Sequence, residues 1–329
     1  MTPSTKTNKA KSCKIQKFTY LTLKEVCRYL PMETRHSLVR HTKCSDLRQI
    51  NAKLPFTFKN LVLEKNGLKM NNYSVKVTCD NENRPQFEIR TENDPPKTVN
   101  LENSKISQKE AVDTVMKFFL NREGTIAEKL SLFEPEHLAN FDFPLTVIDE
   151  LSGLRNSFTF QANHFDKIKI AKQLTLIRLT DFQGDDSIYN LPMLTSAKTL
   201  KIITSDRSKV ARIKKLRCQK IVCNDTVITS SELRDVYEQW TKDDREIGAS
   251  IEFKVLSRMN PMNDVEKWEE TRKPPSNGDS GQTPSYHHIA WQEDKMFKIS
   301  YNRTDNTLRM EVTPNSPIVD DPDFDEPDP

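Results

Sequence analysis

The fold class follows from one stretch of the chain, Ile228–Leu256, which reads ITSSELRDVYEQWTKDDREIGASIEFKVL. Thr229 and Glu232 match a capping box, in which each side chain satisfies a backbone N–H left free at a helix start. An apolar stripe with helical spacing follows, formed by Leu233, Val236, Tyr237 and Trp240. After Gly248, apolar and polar residues alternate, with one side made of Ile251, Phe253 and Val255. A helix followed by a half-buried strand predicts an α/β protein.

Similar short apolar runs recur upstream of this unit. They are spaced by roughly 20–30 residues, the range of leucine-rich repeats, which favours an irregular, leucine-rich-repeat-like array with a mostly parallel sheet. The alternative is a generic α/β layer. The runs are Ile168–Ile170, Leu174–Leu179, Leu200–Ile203, Lys220–Cys223 and Ile251–Leu256.

The N-terminal region predicts three short helices. Thr22 and Glu25 match a second capping box, and Pro31 stops the helix that follows it. Met32–Val39 can form a second helix, and Ser45 is the predicted cap of a third.

An antiparallel β meander is predicted from Phe56 to Glu92, where the apolar period changes to two. Asn66-Gly67 is a strong hairpin motif, because both residues tolerate positive φ. A long helix then begins at the capping box of Ser107 and Glu110 and ends near Arg122.

The sequence divides into six segments. The N-terminal end is rich in positive charge and the C-terminal end in negative charge, which predicts solvated, disordered tails. The segments are a basic tail (1–17), a helical segment (18–54), an α/β domain (55–256), a Pro/Gly/Ser-rich linker (257–284), an antiparallel β segment (285–313) and an acidic tail (314–329).

No motif of known catalytic or cofactor chemistry occurs in the sequence. The chain has 7 glycines, and none lies in a phosphate-binding or dinucleotide-binding pattern. His287 and His288 are adjacent on a predicted strand, so their side chains point to opposite faces and cannot share a metal. The sequence therefore predicts a binding protein with no cofactor, no metal and no enzymatic activity.

One basic cluster stands out between two predicted strands. It could bind phosphates or an acidic partner. The alternative is a solvated helix that buries Val210, Ile213 and Leu216, and nucleic acid is not the expected partner at a net charge of +3. The cluster comprises Arg207, Lys209, Arg212, Lys214, Lys215, Arg217 and Lys220.

The order of these pieces resembles that of nematode F-box proteins with an F-box-associated domain, of the F-box C type. Tyr20–Ile50 resembles the opening F-box, with Leu30-Pro31, Arg35 and Cys44 in its break and turn positions. The later pieces resemble the F-box-associated region and are KLPFTFKNLVLEKNGLKMNNYSVKV (53–77), SQKEAVDTVMKFFLNREGT (107–125) and the helix–strand unit Ser230–Phe253.

The resemblance implies a substrate-recognition subunit of an SCF-type ubiquitin ligase, with no catalysis of its own. Its partners would be a Skp-type cullin adaptor, bound by the helices, and a protein substrate. The implied adaptor-binding residues are Leu21, Leu23, Val26, Leu30, Leu38 and Val39.

Two alternatives stay open at this point. The helical segment could instead be an internal cap on the β region, and the chain could be a non-catalytic binding scaffold without adaptor contact that binds an acidic or nucleic-acid partner through Arg207–Lys220. Met1–Lys17 has no apolar core and no run approaches the roughly 20 apolar residues that span a bilayer, which predicts an intracellular protein of the cytoplasm or nucleus.

Overall fold

The structure of the chain is a computed structural model with two compact units. The helical unit is Met1–Phe56 and the sheet unit is Thr57–Pro329. The predicted basic tail and residues 316–329 of the predicted acidic tail lie outside the described residues. The described residues are 20–30, 32–42, 44–92, 95–100, 106–153, 162–180, 189–204, 210–224, 226, 228–254, 262–265, 267–268, 271–272 and 285–315.

Three helices form the helical unit, as the sequence predicts. They are α1 (Tyr20–Tyr29), α2 (Met32–His41) and α3 (Ser45–Lys53). Two of the predicted caps are wrong. Thr22 lies inside α1, and the residue that precedes α3 is Cys44, whose side chain makes no capping hydrogen bond. The apolar spacing therefore located the helices better than the capping residues did.

The described residues of the sheet unit form one mixed sheet of 16 strands. The strands are β1 (Thr57–Glu64), β2 (Gly67–Met70), β3 (Tyr73–Cys79), β4 (Pro85–Thr91), β5 (Lys97–Asn100), β6 (Ile126–Leu132), β7 (Leu145–Gly153), β8 (Ile168–Ile170), β9 (Leu176–Thr180), β10 (Thr199–Ile203), β11 (Lys220–Asn224), β12 (Ser250–Lys254), β13 (Thr271–Arg272), β14 (Ser285–Ala290), β15 (Lys295–Asn302) and β16 (Thr307–Pro314). Their order across the sheet is β13-β14-β15-β16-β12-β11-β10-β9-β7-β6-β1-β2-β3-β4-β5, with β8 beside β7.

The centre of the sheet is parallel and both of its flanks are antiparallel. All neighbouring pairs from β1 through β6, β7, β9, β10 and β11 to β12 are parallel. The α/β class is thereby confirmed, and β9 to β12 are parallel neighbours. The parallel region begins earlier than expected, because β6 and β7 were not recognised in the sequence.

Two strand pairs join segments that the sequence analysis set apart. β1 lies between β2 and β6, so the predicted meander and the parallel strands belong to one sheet. β16 pairs antiparallel with β12, so residues 285–313 are antiparallel as predicted but complete that same sheet. Within the predicted linker, 257–284, three described residues are instead buried: Met262, Val265 and Trp268.

The predicted hairpin exists, but its turn differs from the expected one. Glu64 pairs with Gly67, so the two-residue loop is Lys65-Asn66. Neither Asn66 nor Gly67 is among the described residues with positive φ. Gly67 is required for another reason, because a Cβ at this position would lie 2.1 Å from the carbonyl oxygen of Val75 on β3.

Two apolar ladders run across one face of the sheet and form its core. Register places one residue of each strand beside an apolar residue of the next, and nearly all are fully buried. The first ladder is Leu61, Leu130, Leu151, Ile177, Leu200, Ile221, Ile251, Met310 and Ile299. The second includes Leu63, Leu132, Leu179, Ile202, Cys223, Phe253, Leu308 and Tyr301.

Helices connect the strands of the sheet unit. They are α4 (Gln108–Leu120), α5 (Pro192–Ser196), α6 (Val210–Ile213), α7 (Ser230–Lys242) and α8 (Met262–Val265), with 3-10 turns at Pro135–Asn140 and Ala162–Lys167. The capping boxes predicted for α4 and α7 are both confirmed. The predicted stripe of α7 is also confirmed as buried: Leu233, Val236, Tyr237 and Trp240.

Candidate functional site

The helical unit has a small core of its own. A buried cluster joins α1 to α3 and consists of Cys27, Leu47, Ile50 and Leu54. Leu23 and Val39 pack against this cluster and are half-buried. These two predicted adaptor-binding residues therefore contribute largely to the unit's own packing. Burial raises the pKa of the Cys27 thiol, and the nearby Arg35 guanidinium opposes that rise.

Arg35 connects α2 to the segment that follows α3. Its guanidinium is buried, Nη2 donates a hydrogen bond of 2.8 Å to the carbonyl oxygen of Pro55, and its centre lies 4.3 Å from the Phe56 ring centroid. Burial lowers the pKa of Arg35, because the charged form loses its hydration. The hydrogen bond and the ring contact compensate part of that loss and hold the short helices together.

Other predicted adaptor-binding residues remain on the surface. Leu21 is 71 % exposed, Val26 is 46 % exposed and Leu38 is 37 % exposed, while Leu30 is half-buried. Tyr29 was missed from the sequence, although it is 81 % exposed. It lies three residues after Val26 on α1, and residues at this spacing share one helix face. Exposed apolar side chains on a short helix are the feature of this unit that an outside partner could cover.

The sheet unit presents a second candidate surface, on the side opposite the apolar ladders. We name this side of β9–β12, β15 and β16 the outer face. Its residues alternate with the ladder residues and are mostly half-buried or exposed. Register places one outer-face residue of each strand in a single row, which comprises Arg178, Lys201, Val222, Glu252 and Arg309.

Carboxylates pair with the cations at one end of this row. Lys220 Nζ lies 2.8 Å from Glu252 Oε1, and Arg309 Nη1 lies 3.8 Å from the same oxygen. Arg309 Nη2 lies 3.0 Å from Glu311 Oε1. These ion pairs are partly exposed, so they fix the side chains in position more than they stabilise the fold.

A depression of about 450 Å³ lies on the outer face beside these pairs. It lies between the ends of β11 and β12 and the β15–β16 hairpin. Polar and charged groups dominate its lining, which includes Asn224, Glu252, Lys254, Asn302, Thr307 and Arg309. The depression can receive a side chain or a bend of a bound chain through hydrogen bonds and ion pairs.

The predicted basic cluster is divided by the fold. Arg207 and Lys209 lie outside the described residues, and the predicted stripe Val210, Ile213 and Leu216 is buried. Arg212 and Lys215 are exposed on and just after α6. The cluster is therefore not one surface, because its last member, Lys220, lies on the outer face of β11 while the α6 residues belong to the helical connection.

Two other members of that cluster, Lys214 and Arg217, lie near α7 or the residues that follow it. Lys214 Nζ lies 3.6 Å from Asp235, and the Lys214 carbonyl accepts a hydrogen bond of 3.2 Å from the indole of Trp240. Arg217 lines a separate cavity of about 510 Å³ together with Arg245. Burial lowers the pKa of Arg245, and its 3.0 Å ion pair with Asp243 opposes this. Among the described members of the cluster, only Lys220 lies on the outer face.

Two buried thiols and the distribution of possible metal ligands describe the chemical groups of the sheet unit. They contain no group of three His, Cys, Asp or Glu side chains that could hold a metal ion. Burial raises the pKa of the Cys218 thiol to about 12 and also raises the pKa of the Cys223 thiol. Both therefore remain protonated near neutral pH, and a protonated thiol is a poor nucleophile.

No family model, curated protein or solved structure matches the chain. Among the residues that the structure describes, no helix is long and apolar enough to cross a membrane.

Proposed function

We propose that the chain is the substrate-recognition subunit of an SCF-type ubiquitin ligase and is not an enzyme itself. The helical unit binds the Skp-type cullin adaptor, and the sheet unit binds a protein substrate. Ubiquitin transfer is performed by other subunits, so neither task requires a catalytic group in this chain. The proposal takes its partners from the resemblance to nematode F-box proteins and its surfaces from the structure.

The observation that carries the proposal is the exposed apolar surface of α1. Leu21, Val26 and Tyr29 remain in water although the helical unit has a buried cluster that could have absorbed apolar side chains. Partner helices typically cover such positions, and a few buried apolar anchors supply most of the binding energy of an interface. The exposed tyrosine suits this role, since tyrosine is enriched among such anchors.

The architecture of the sheet unit is compatible with substrate binding. We infer that β7 and β9–β12 are divergent leucine-rich-repeat-like units, because each adds one strand to a parallel sheet and one residue to the first apolar ladder. Helical connections lie between several of these strands, and the outer face carries the charged row and the depression. Repeat proteins use extended strand surfaces of this kind for binding.

The test is co-purification of the full chain with a recombinant Skp-type adaptor, followed by titration of the two. Val26→Asp introduces a charge that is solvated in the free chain and buried without a partner in the complex. Such burial costs about 3 kcal/mol, so we expect the dissociation constant to rise roughly a hundredfold. Gln49→Asp is the matched control, because Gln49 is exposed on α3 and the same charge is introduced there.

Two outcomes would contradict the assignment. The first is the absence of adaptor binding by the wild-type chain at micromolar concentrations, which would favour a binding scaffold without cullin contact. The second is equal weakening by Val26→Asp and Gln49→Asp, which would show that net charge decides the interaction and the apolar surface of α1 does not. Circular dichroism of both variants checks that the helices remain folded.

A further inference from the structure

Two cations lie side by side at the centre of the outer face. Arg178 on β9 and Lys201 on β10 are direct neighbours in register. Adjacent strands are about 4.8 Å apart, so the stems of the two side chains leave the sheet at that spacing. Both residues alternate with buried ladder residues, namely Ile177 and Leu179 on β9 and Leu200 and Ile202 on β10.

This pair lacks the ion-pair partners that two other cations of the outer face have. Among the described residues, neither Arg178 nor Lys201 has a carboxylate within ion-pair distance, whereas Lys220 and Arg309 both have one. Arg178 Nε is also buried without a hydrogen-bond acceptor. Like charges directly opposite each other on neighbouring strands destabilise a sheet, and a buried donor without an acceptor adds to that cost. An anionic ligand would relieve the repulsion between the two cations.

The other charged residues of the outer face also favour an anionic ligand. The strand residues of the described outer face include six cations and two carboxylates, a charge of 6 − 2 = +4, and a third carboxylate, Asp305 in the β15–β16 turn, lines the depression. The pKa of His288, on the neighbouring strand β14, is lowered by burial and by the positive charge of Lys298. The cations are Arg178, Lys201, Lys220, Lys254, Lys298 and Arg309, and the carboxylates are Glu252 and Glu311.

We propose that the outer face binds an acidic polypeptide segment, with Arg178 and Lys201 as its central carboxylate-binding residues. The guanidinium of Arg178 can take one carboxylate through two parallel hydrogen bonds, and Lys201 can take a neighbouring one. The depression beside Glu252 and Lys254 then receives a polar residue of the same segment. The inference rests on the proposed function, for which it names the substrate class.

An acidic peptide fits this surface better than a nucleic acid does. Glu252 and Glu311 lie between Lys220 and Lys298 on the path across the strands. A nucleic-acid strand carries a phosphate about every 3.4 Å, so one that continued from β10 across β12 and β16 would meet these carboxylates. A polypeptide can place its acids opposite Arg178 and Lys201 and a neutral residue opposite Glu252.

The binding test uses the full chain without any adaptor, so its result is independent of the adaptor experiment. The probe is a fluorescein-labelled peptide of alternating glutamate and serine, followed by fluorescence anisotropy. The control peptide replaces each glutamate by glutamine. The variants are Arg178→Gln and Lys201→Gln, alone and together, and the matched control is Lys76→Gln, which removes one exposed positive charge from β3 on the far flank of the sheet.

We expect the glutamate peptide to bind and the glutamine peptide to fail. The double variant should weaken binding by about a hundredfold, corresponding to two charge-assisted hydrogen-bonded contacts, and Lys76→Gln should change it less than about twofold. Binding that persists in the double variant, or that falls equally in Lys76→Gln, would overturn the proposal. Tighter, equally residue-dependent binding of a polyuridine oligonucleotide would overturn the choice of a polypeptide.

One further variant tests whether the chain's own acidic end competes with the peptide for the outer face. Asp320, Asp321, Asp323, Asp325, Glu326 and Asp328 follow β16 in the sequence. Replacing all six by their amides leaves the outer face unchanged. An increase in peptide affinity would support the proposal, because the outer face would then be occupied by an acidic segment already. If the peptide binds neither this variant nor the wild-type chain, the proposal is refuted.

Discussion

Replacing Trp240 by alanine should remove a large part of the stability of the sheet unit. The indole is completely buried on α7, and emptying a site of this size costs about 3–5 kcal/mol. Trp240 Nε1 donates to the Lys214 carbonyl at 3.2 Å, but Arg245 Nη2 also donates to that oxygen at 3.4 Å. The carbonyl thus keeps one donor, and the lost hydrogen bond adds no more than about 1 kcal/mol.

Arg245 contributes the remaining part of the estimate. Its guanidinium carbon lies 4.6 Å from the Trp240 ring centroid, and a cation–π contact of a desolvated arginine is worth about 1–2 kcal/mol. Allowing for relaxation around the empty site, the expected total is about 5 kcal/mol. Domains of this kind are stable by about 5–15 kcal/mol, so the variant should be partly unfolded or close to it.

Urea unfolding followed by far-UV circular dichroism measures this loss. Trp291→Ala is the matched control, because Trp291 is only half-buried and stacks on the Phe297 ring with centroids 4.8 Å apart. We expect the control to lose about 2 kcal/mol or less. A loss below about 1 kcal/mol for Trp240→Ala, or losses of equal size for both variants, would refute the reasoning that places the indole in a closely packed core.

Two further predictions concern the glycines and the buried thiol. Gly67→Ala should destabilise the sheet unit by about 3 kcal/mol, because its Cβ would lie 2.1 Å from the Val75 carbonyl oxygen. Gly248→Ala should cost only about 1 kcal/mol, because Gly248 has a φ of +89° but nothing within 4 Å of the added Cβ. Thermal unfolding distinguishes the two variants, and equal shifts of their melting temperatures would contradict the proposed steric cause. Burial raises the pKa of Cys218 to about 12 from 9.0, so the stabilisation by its neutral thiol is present below pH 9 and is lost as the pH rises toward 12. At pH 8 iodoacetamide should therefore alkylate the exposed Cys79 much faster than Cys218, as mass spectrometry of the peptides would show, and similar rates would contradict the burial.

Local elements with an uninterrupted period were predictable from the sequence. The stripe of α7 and the capping box at Thr229 were found because a helix repeats every 3.6 residues and leaves its first N–H groups free. The strands β9 to β12 were found because their apolar runs are short and regularly spaced. β6 and β7 were missed because their pairing shifts between Ala127 and Lys129, which breaks the alternation that marks a strand.

The candidate surfaces were predictable only in part, since exposure depends on what packs nearby. Leu23 and Val26 both belong to the apolar stripe of α1 that the sequence predicts. Leu23 packs against the buried cluster, whereas Val26 is 46 % exposed. Arg178 was not singled out, because it is an isolated cation within an apolar run. The weak clue was its alternation with Ile177 and Leu179, which places it on the face opposite the core.

The sequence by itself determined the helices of the first unit, the hairpin after residue 64 and the strand–helix order that makes this an α/β protein, because these depend on periods and turns of a few residues. Only the tertiary structure decided that β1 pairs with β6 and β16 with β12, which joins three predicted segments into one sheet. It also decided that Lys220 lies on the outer face, apart from the other described members of the basic cluster, and that Arg178 and Lys201 are neighbours on that face. Strand pairing depends on contacts between residues far apart in the chain, and no local pattern encodes which strands become neighbours.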